Sequence, residues 1–181
     1  VVADYRTKIP YGTDPKICVT DAKSAIRWLR QNSSKLEIDP EKLTAGGGSA
    51  GAHIAAAAAL IPDFDDPCDN ETVSCKPNAL VLFNPVIDNS QNGYGYNRVA
   101  NYWQDFSPMH NITPNAPATL FLLGTKDQLI PVSTAYKYKE LMKKNNSRCE
   151  LVLYENQKHG FFNYSKGSNP YYYKTVKEME T

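Results

Sequence analysis

Residues 43–60 read "LTAGGGSAGAHIAAAAAL". The stretch opens as a short strand, crosses Gly46, Gly47, Gly48 and Ser49, and becomes an almost pure alanine helix. Gly47-Gly48-Ser49-Ala50-Gly51 satisfies the pattern G-x-S-x-G. A serine hydroxyl is a poor nucleophile unless a base takes its proton and its oxygen stands clear of the backbone. A sharp strand-to-helix turn provides that clearance, and it brings backbones so close that side chains at Gly47 and Gly51 are expected to clash. The helix that follows starts at the serine. Its free N–H groups, Ala50 first, and its positive dipole end then face the place where an oxyanion would form. The competing reading of the pentapeptide is a glycine-rich structural turn with an incidental serine.

The nucleophile reading requires a base and an acid further along the chain. Three histidines are present. His53 lies one turn beyond Ser49 on the same helix, where structure rather than chemistry is expected to hold it. His110 sits in the loop "FSPMHNI" and reads as a packing or hydrogen-bonding residue. His159, in "ENQKHGFFN", follows the last strand and has Gly160 behind it to let the loop turn. Behind such an elbow the partners come in the order serine, carboxylate, histidine. Only His159 leaves room for a carboxylate between itself and Ser49. Asp127, in "ATLFLLGTKDQLIP", stands just past a strand end and is the favoured acid; its plain alternative is a turn aspartate. Asp88, after "LFNPVI", competes from one strand earlier. The acid would fix the imidazole tautomer and stabilise the imidazolium.

Elsewhere strands and helices alternate. "VVADYR" reads as a strand. Ala22, Ala25, Ile26 and Leu29 fall at i, i+3, i+4 and i+7, which predicts a helix over about 21–31 with Thr20 as its N-cap. Strands are predicted at 42–47, 79–86, 118–125 and 149–155. Helices are predicted at 50–60, through Val132, Ala135, Tyr138 and Met142, and from Tyr171 onward. "ALVLFNPV" is continuously apolar, as a strand buried on both faces should be. The alternation predicts an α/β fold, a parallel-dominated sheet with helices on both faces. Two stretches, about 62–78 and 87–116, are long for plain connections and read as lid-like insertions. The aromatics of "NGYGYNRVANYWQDF" suit either a substrate-pocket wall or the core of an insertion.

Bulk properties narrow the class. The 181 residues carry a formal charge of +1, without the basic excess of a nucleic-acid surface. No apolar run approaches the roughly 18 residues of a membrane span. Cys18 and Cys149 read as buried free thiols. Cys68 and Cys75 share the polar loop "DDPCDNETVSC" and could close a short disulfide in an oxidising compartment. "DFDDPCDNE" lacks the alternation of a calcium loop and reads as a solvated acidic loop. No metal or other cofactor is implied. Asn111-Ile112-Thr113 matters only in a glycosylating pathway. Both ends look cut, the first within a strand and the second within a helix, so an export signal would lie upstream.

Taken together, "DYR", "GGGSAGAH", "LFNPV", "GTKDQLIP" and "HGFF" resemble the α/β-hydrolase superfamily, in the esterase/lipase branch near hormone-sensitive lipase and bacterial acetyl- and feruloyl-esterase-like proteins. The resemblance covers essentially the whole chain. It implies Ser49 as nucleophile, Asp127 as acid, His159 as base and the Ala50 N–H as one oxyanion donor. It also implies upstream strands and an H-G-G-G-type loop that are not in this sequence, so 1–181 is expected to be the C-terminal two-thirds of one catalytic domain. The implied activity is hydrolysis of short-acyl esters, of the acetylated or feruloylated sugar kind, with no cofactor and no nucleic-acid or membrane partner. A prolyl-oligopeptidase-type peptidase is the rival enzyme, although its elbow usually carries an aromatic where this chain has Ala50. A non-catalytic binding protein on the same fold is the rival of another class, although such proteins typically lose a member of the Ser-Asp-His set.

Overall fold

The computed structural model describes residues 1–165 and 168–180. Helices α1 (Lys8–Tyr11), α2 (Pro15–Gln31) and α3 (Ser33–Leu36) precede strand β1 (Thr44–Gly48), and α4 (Ala50–Leu60) leads to β2 (Ala79–Phe83). The short helices α5 (Tyr96–Val99) and α6 (Trp103–Phe106) lie between β2 and β3 (Ala118–Gly124). Then come α7 (Val132–Lys144), β4 (Cys149–Tyr154) and α8 (Pro170–Met179). The strands form one parallel sheet in the order β1-β2-β3-β4.

Side chains alternate across that sheet, and each face is covered differently. Leu80, Leu82, Phe121 and Leu123 point to the face packed by the α4 alanines and by Ala135, Tyr138 and Met142 of α7. Val81, Phe83, Leu120, Leu122 and Val152 point to the other, against Phe161, Phe162 and Tyr171 of α8. Helix α4 is buried on nearly every side, because α2 lies over it and packs Val19 against Ala57 and Ile61. A helix enclosed by a sheet and another helix needs small side chains all round, which the alanine run supplies.

Several sequence expectations need correction. Residues 1–7 form no strand. A strand needs a neighbour for its ladder, and β1 is the last strand on that side. The segment is instead tied to α2, where Asp21 accepts from the Arg6 main-chain N–H at 2.7 Å and pairs with its guanidinium at 2.5 Å. Helix α2 starts at Pro15, six residues before the expected start. Asp14 is its cap, accepting from the Lys16 N–H at 3.0 Å, and proline occupies the first turn, where its missing N–H costs nothing. The Thr20 hydroxyl donates to the Lys16 carbonyl inside the helix, so Thr20 caps nothing. Strand β2 stops at Phe83, before Val86, because Asn84 has a φ of 43° and Pro85 has no N–H for the ladder.

The acidic loop is not simply solvated. The Lys23 amine is buried, donates to the carbonyls of Pro62 and Asp63 at 3.1 and 2.5 Å, and pairs with Asp65 at 2.8 Å. Arg27, also buried, pairs with Asp65 at 2.5 Å and Asp69 at 3.0 Å, and donates to the Val73 carbonyl. A buried cation must be paired, so α2 recruits the carboxylates that the composition alone left to water. Cys68 and Cys75 are free thiols: Cys68 is exposed, while the Cys75 thiol turns to the Ala58 carbonyl at 3.9 Å. Cys18 and Cys149 are free and only half-buried. Burial against the core still pushes the Cys149 thiol up to about 12.

Removing one partner from a buried ion network is costly, whereas exposed pairs contribute little. Lys23→Met should therefore lower unfolding stability by about 2–3 kcal/mol. Lys42→Ala, which removes an exposed pair with Asp39, should cost under about 0.5 kcal/mol. Urea melts of the two variants of the intact protein check this, and equal losses would contradict the anchoring role of Lys23.

Candidate active site

Ser49 joins β1 to α4 with φ 54° and ψ −112°, a left-handed backbone unusual for any residue but glycine. Three neighbours hold it there. Its N–H donates to the Phe83 carbonyl at 2.8 Å, and its carbonyl accepts from the Val86 N–H at 3.5 Å and the His53 N–H at 3.0 Å. A Cβ on Gly47 would lie 2.7 Å from the Gly51 carbonyl carbon, so glycine is required there. The expectation for Gly51 is corrected: nothing lies within 4 Å of a Cβ at that position. It is the Gly51 backbone, not an absent Gly51 side chain, that makes the turn tight. A second tight glycine went unnoticed in the sequence. A Cβ on Gly48 would sit 2.5 Å from the Phe162 ring.

The three residues singled out in the sequence meet. The Ser49 hydroxyl lies 2.9 Å from His159 Nε2, and His159 Nδ1 lies 2.7 Å from Asp127 Oδ2. A carboxylate only accepts, so Nδ1 carries the proton and Nε2 presents its lone pair to the serine O–H. The other Asp127 oxygen accepts from the N–H groups of Leu129 and Ile130 at 2.8 and 3.0 Å, and the side chain is fully buried. The Asp127 carboxylate is thus fixed by backbone on one oxygen and spends the other on the imidazole. His159 keeps 24% of its side-chain surface exposed. Gly160 follows it at φ 77°, as the loop requires.

The loops after β3 and β4 are stitched together, which sets the Asp127–His159 distance. The Thr125 N–H donates to the Tyr154 carbonyl at 3.0 Å, and the Lys126 N–H to the Gln157 carbonyl at 2.8 Å. The Asn156 N–H closes the seam on the Thr125 hydroxyl at 2.8 Å. Asn84 ties in the end of β2, its side-chain oxygen accepting from the Gly124 N–H at 3.4 Å. The Asn-Pro dipeptide in "LFNPV" is the turn signal that marks it.

The competing residues lie apart from this set. Asp88 accepts from the Ser90 N–H at 2.9 Å and closes a local turn. His110 bonds the Ser107 hydroxyl at 2.9 Å and meets the Trp103 ring edge-on. His53 is buried, with Nδ1 2.7 Å from the Val86 carbonyl and its ring 4.5 Å from that of Phe106. Burial lowers its pKa to about 4, so it stays neutral.

Beside Ala50 opens a cavity of about 400 Å³. Ala50 is the first residue of α4, where an N–H has no acceptor within the helix. The residues between β2 and β3 serve both ends that their aromatics suggested. Tyr94 and Phe106 line the cavity, while Tyr102, Val99 and Phe106 pack against Phe64 and Val19. Among the described residues, no group of three or more His, Cys, Asp or Glu is placed to hold a metal ion. A hydroxyl on an imidazole on a carboxylate, next to unpaired helix N–H groups and an apolar cavity, can carry out acyl transfer.

Known proteins resemble this chain in sequence and in fold. The BD-FAE family model matches residues 1–95, and that of the dienelactone hydrolase family matches residues 86–179. The chain is 26% identical to endo-1,4-beta-xylanase B of Butyrivibrio fibrisolvens, with 87% of this chain covered and 26% of that protein. It is 24% identical to the acetylxylan esterase of Xylanibacter ruminicola, with 88% and 34% covered. Its backbone matches Thermogutta terrifontis esterase 2 phosphorylated by paraoxon at a TM-score of 0.90 and 40% identity, covering 97% of this chain and 66% of that one. The chain thus spans a quarter to a third of the two curated relatives and about two-thirds of the solved esterase. Each half of the chain carries a hydrolase family model, and the whole superposes on an esterase: the chain belongs to the esterase branch of the α/β-hydrolase superfamily, among the BD-FAE and dienelactone hydrolase families.

Proposed function

We propose that this chain carries the active site of a serine carboxylesterase for short-acyl esters, within a single catalytic domain. The observation that carries the reading is the continuous hydrogen-bonded row from the Ser49 hydroxyl through His159 to buried Asp127, beside the cavity at Ala50. Ser49 attacks the ester carbonyl as His159 Nε2 takes its proton. The Ala50 N–H stabilises the oxyanion as one donor of the pair such a site uses. His159 then returns the proton to the departing alcohol. Water, activated by the same imidazole, attacks the acyl-serine and releases the acid, which restores Ser49.

Acetylated sugars are the substrate class we favour. The likeness to an acetylxylan esterase supports it. The residues between β2 and β3 act as the wall and lid of the cavity at Ala50. Tyr102 fastens them to the cap of α2, its hydroxyl donating to Asp14 at 2.5 Å while the Lys16 amine lies over its ring.

Two measurements test the assignment. A fluorophosphonate probe should label the intact protein at Ser49, and Ser49→Ala should abolish labelling; labelling that survives would move the nucleophile elsewhere. Asp127→Asn should lower kcat on 4-nitrophenyl acetate by about 10³–10⁴-fold, because an amide at that place disturbs the His159 tautomer. Asp88→Asn should change it by less than about threefold, since Asp88 contacts no residue of the row. The reverse ranking would transfer the acid role to Asp88.

A further inference from the structure

The five arginines of the chain are not used alike. Arg6 pairs with Asp21, Arg27 with Asp65 and Asp69, and Arg148 with Glu150. Arg30 donates to the carbonyls of Pro40 and Ser74. Arg98, on α5, makes no side-chain hydrogen bond or ion pair with any described residue. Its guanidinium lies instead 5.5 Å from the centre of the Tyr94 ring. Lys8, on α1, is a second exposed cation whose amine has no partner among the described residues. Both side chains line the cavity beside Ala50, and no Asp or Glu lines it. The neighbouring carboxylate, Asp14, is already engaged, accepting from the Lys16 N–H and the Tyr102 hydroxyl.

The rest of the argument is position. Ile54, Val86, Val99 and Phe106 give the same cavity an apolar wall. A cleft with charges of one sign and a wall of low dielectric constant focuses their field and draws in the opposite charge. The formal charge of the whole chain is only +1, so two unpaired cations at one cavity are not a by-product of general basicity. Arg98 offers a planar fork that suits a carboxylate bidentately, and its place against Tyr94 restrains it; Lys8 acts as a point charge. A neutral ester would leave both cations to water alone, and a cationic one would be repelled.

We propose that Arg98 and Lys8 form an anion subsite in this cavity, which selects esters whose acid or alcohol half carries a carboxylate. The inference rests on the esterase reading above and narrows its substrates. Among acetylated sugars it favours the acidic ones over the neutral ones. Either half of an ester could bring the carboxylate, so the test has two arms.

On the intact protein, kcat/KM is measured for two pairs of esters, each a carboxylate against the carboxamide of the same shape. Monomethyl succinate against methyl succinamate puts the charge on the acyl half. The pair 4-acetoxybenzoate and 4-acetoxybenzamide puts it on the alcohol half. In at least one pair the charged-to-neutral ratio should fall about 5–10-fold when Arg98→Gln and Lys8→Gln are combined, the size of a partly exposed charged hydrogen bond. An ester's intrinsic reactivity is the same whichever enzyme meets it, so it cancels in that comparison. The pair that responds tells which half occupies the cavity. Each single substitution should give part of the fall and stands in if the double variant does not fold. Raising the salt from about 0.05 M to about 0.5 M should move the wild-type ratio toward that of the variant. Lys144→Gln, which removes an exposed cation from the last residue of α7, should leave the ratio within about twofold.

A ratio that the substitutions leave unchanged in both pairs would overturn the proposal. So would an equal loss for charged and neutral esters, which marks a structural role, or an equal effect of Lys144→Gln, which marks net charge alone. If none of the four esters reacts while 4-nitrophenyl acetate is hydrolysed, the subsite falls and the esterase reading stands. If 4-nitrophenyl acetate is not hydrolysed either, the esterase reading falls, and this inference with it.

Discussion

The left-handed backbone at Ser49 is the constraint around which the molecule is arranged. Such a conformation costs on the order of 1–3 kcal/mol in a residue with a side chain and persists only where neighbours over-determine it. Here the end of β2 does so from both sides, since Phe83 accepts from the serine N–H and Val86 donates to its carbonyl. His53 adds a third tie by holding the Val86 carbonyl from α4. The strained residue also fixes where α4 leaves the sheet. A helix that leaves at so tight an angle runs close over β1 and β2, and the closeness dictates the alanines at 52, 55, 56 and 59. The alanines on the sheet side of α4 thus follow from that close exit, and Ala57 on the other side from the packing of α2.

The second constraint is distance across the sheet. Ser49 follows β1 and His159 follows β4, three strand spacings apart, or about 14 Å. A histidine at the tip of β4 could not reach the serine. The chain after Tyr154 therefore doubles back over the ends of β3 and β2. The seam from Thr125 and Lys126 to Tyr154 and Gln157 guides its first part. Phe162 anchors the far end, its ring filling the place a Gly48 side chain would take and lying 4.8 Å from that of Phe83. Asp127, on the β3 loop between the two, falls where the imidazole needs its carboxylate. The order serine, aspartate, histidine in the chain becomes the order of strands in space.

What could be read from the sequence and what could not divide along physical lines. The elbow, its helix and the buried strands β2 and β3 were legible because glycine spacing and apolar runs are local signals. Asp127 and His159 were legible because strand ends and chain order bring them together on a parallel sheet. The strand assigned to "VVADYR" was not, because strand formation depends on a neighbour rather than on the segment itself. The start of α2 at Pro15 is marked by a cap-and-first-turn pair, Asp14-Pro15, and by Val19 at helical spacing from Ala22 and Ile26; the repeat Ala22, Ala25, Ile26 and Leu29 by itself leaves that first turn out. The pairing of Lys23 and Arg27 with Asp65 and Asp69 joins residues about 40 apart, and no local pattern announces such a contact. Gly48 and Phe162 were invisible for the same reason.

The three histidines show how burial sorts one side chain into different uses. His53 shares the helix of Ser49, and the periodicity of that helix brings the two near each other in sequence terms. Yet its Nδ1 is committed to Val86 and its ring lies against Phe106, in surroundings that hold its pKa near 4. A base that stays neutral down to that acidity is a weak base, and one enclosed on every side has no path to hand its proton to a leaving alcohol. His110 is also lowered by burial and bonds a serine, but that serine, Ser107, is itself buried and donates to the Ile87 carbonyl. Its hydroxyl has no approach for a substrate. His159 alone combines a carboxylate on one nitrogen, an accessible serine on the other and a partly exposed ring. Proton transfer in both directions needs that combination, and a single position in the fold supplies it.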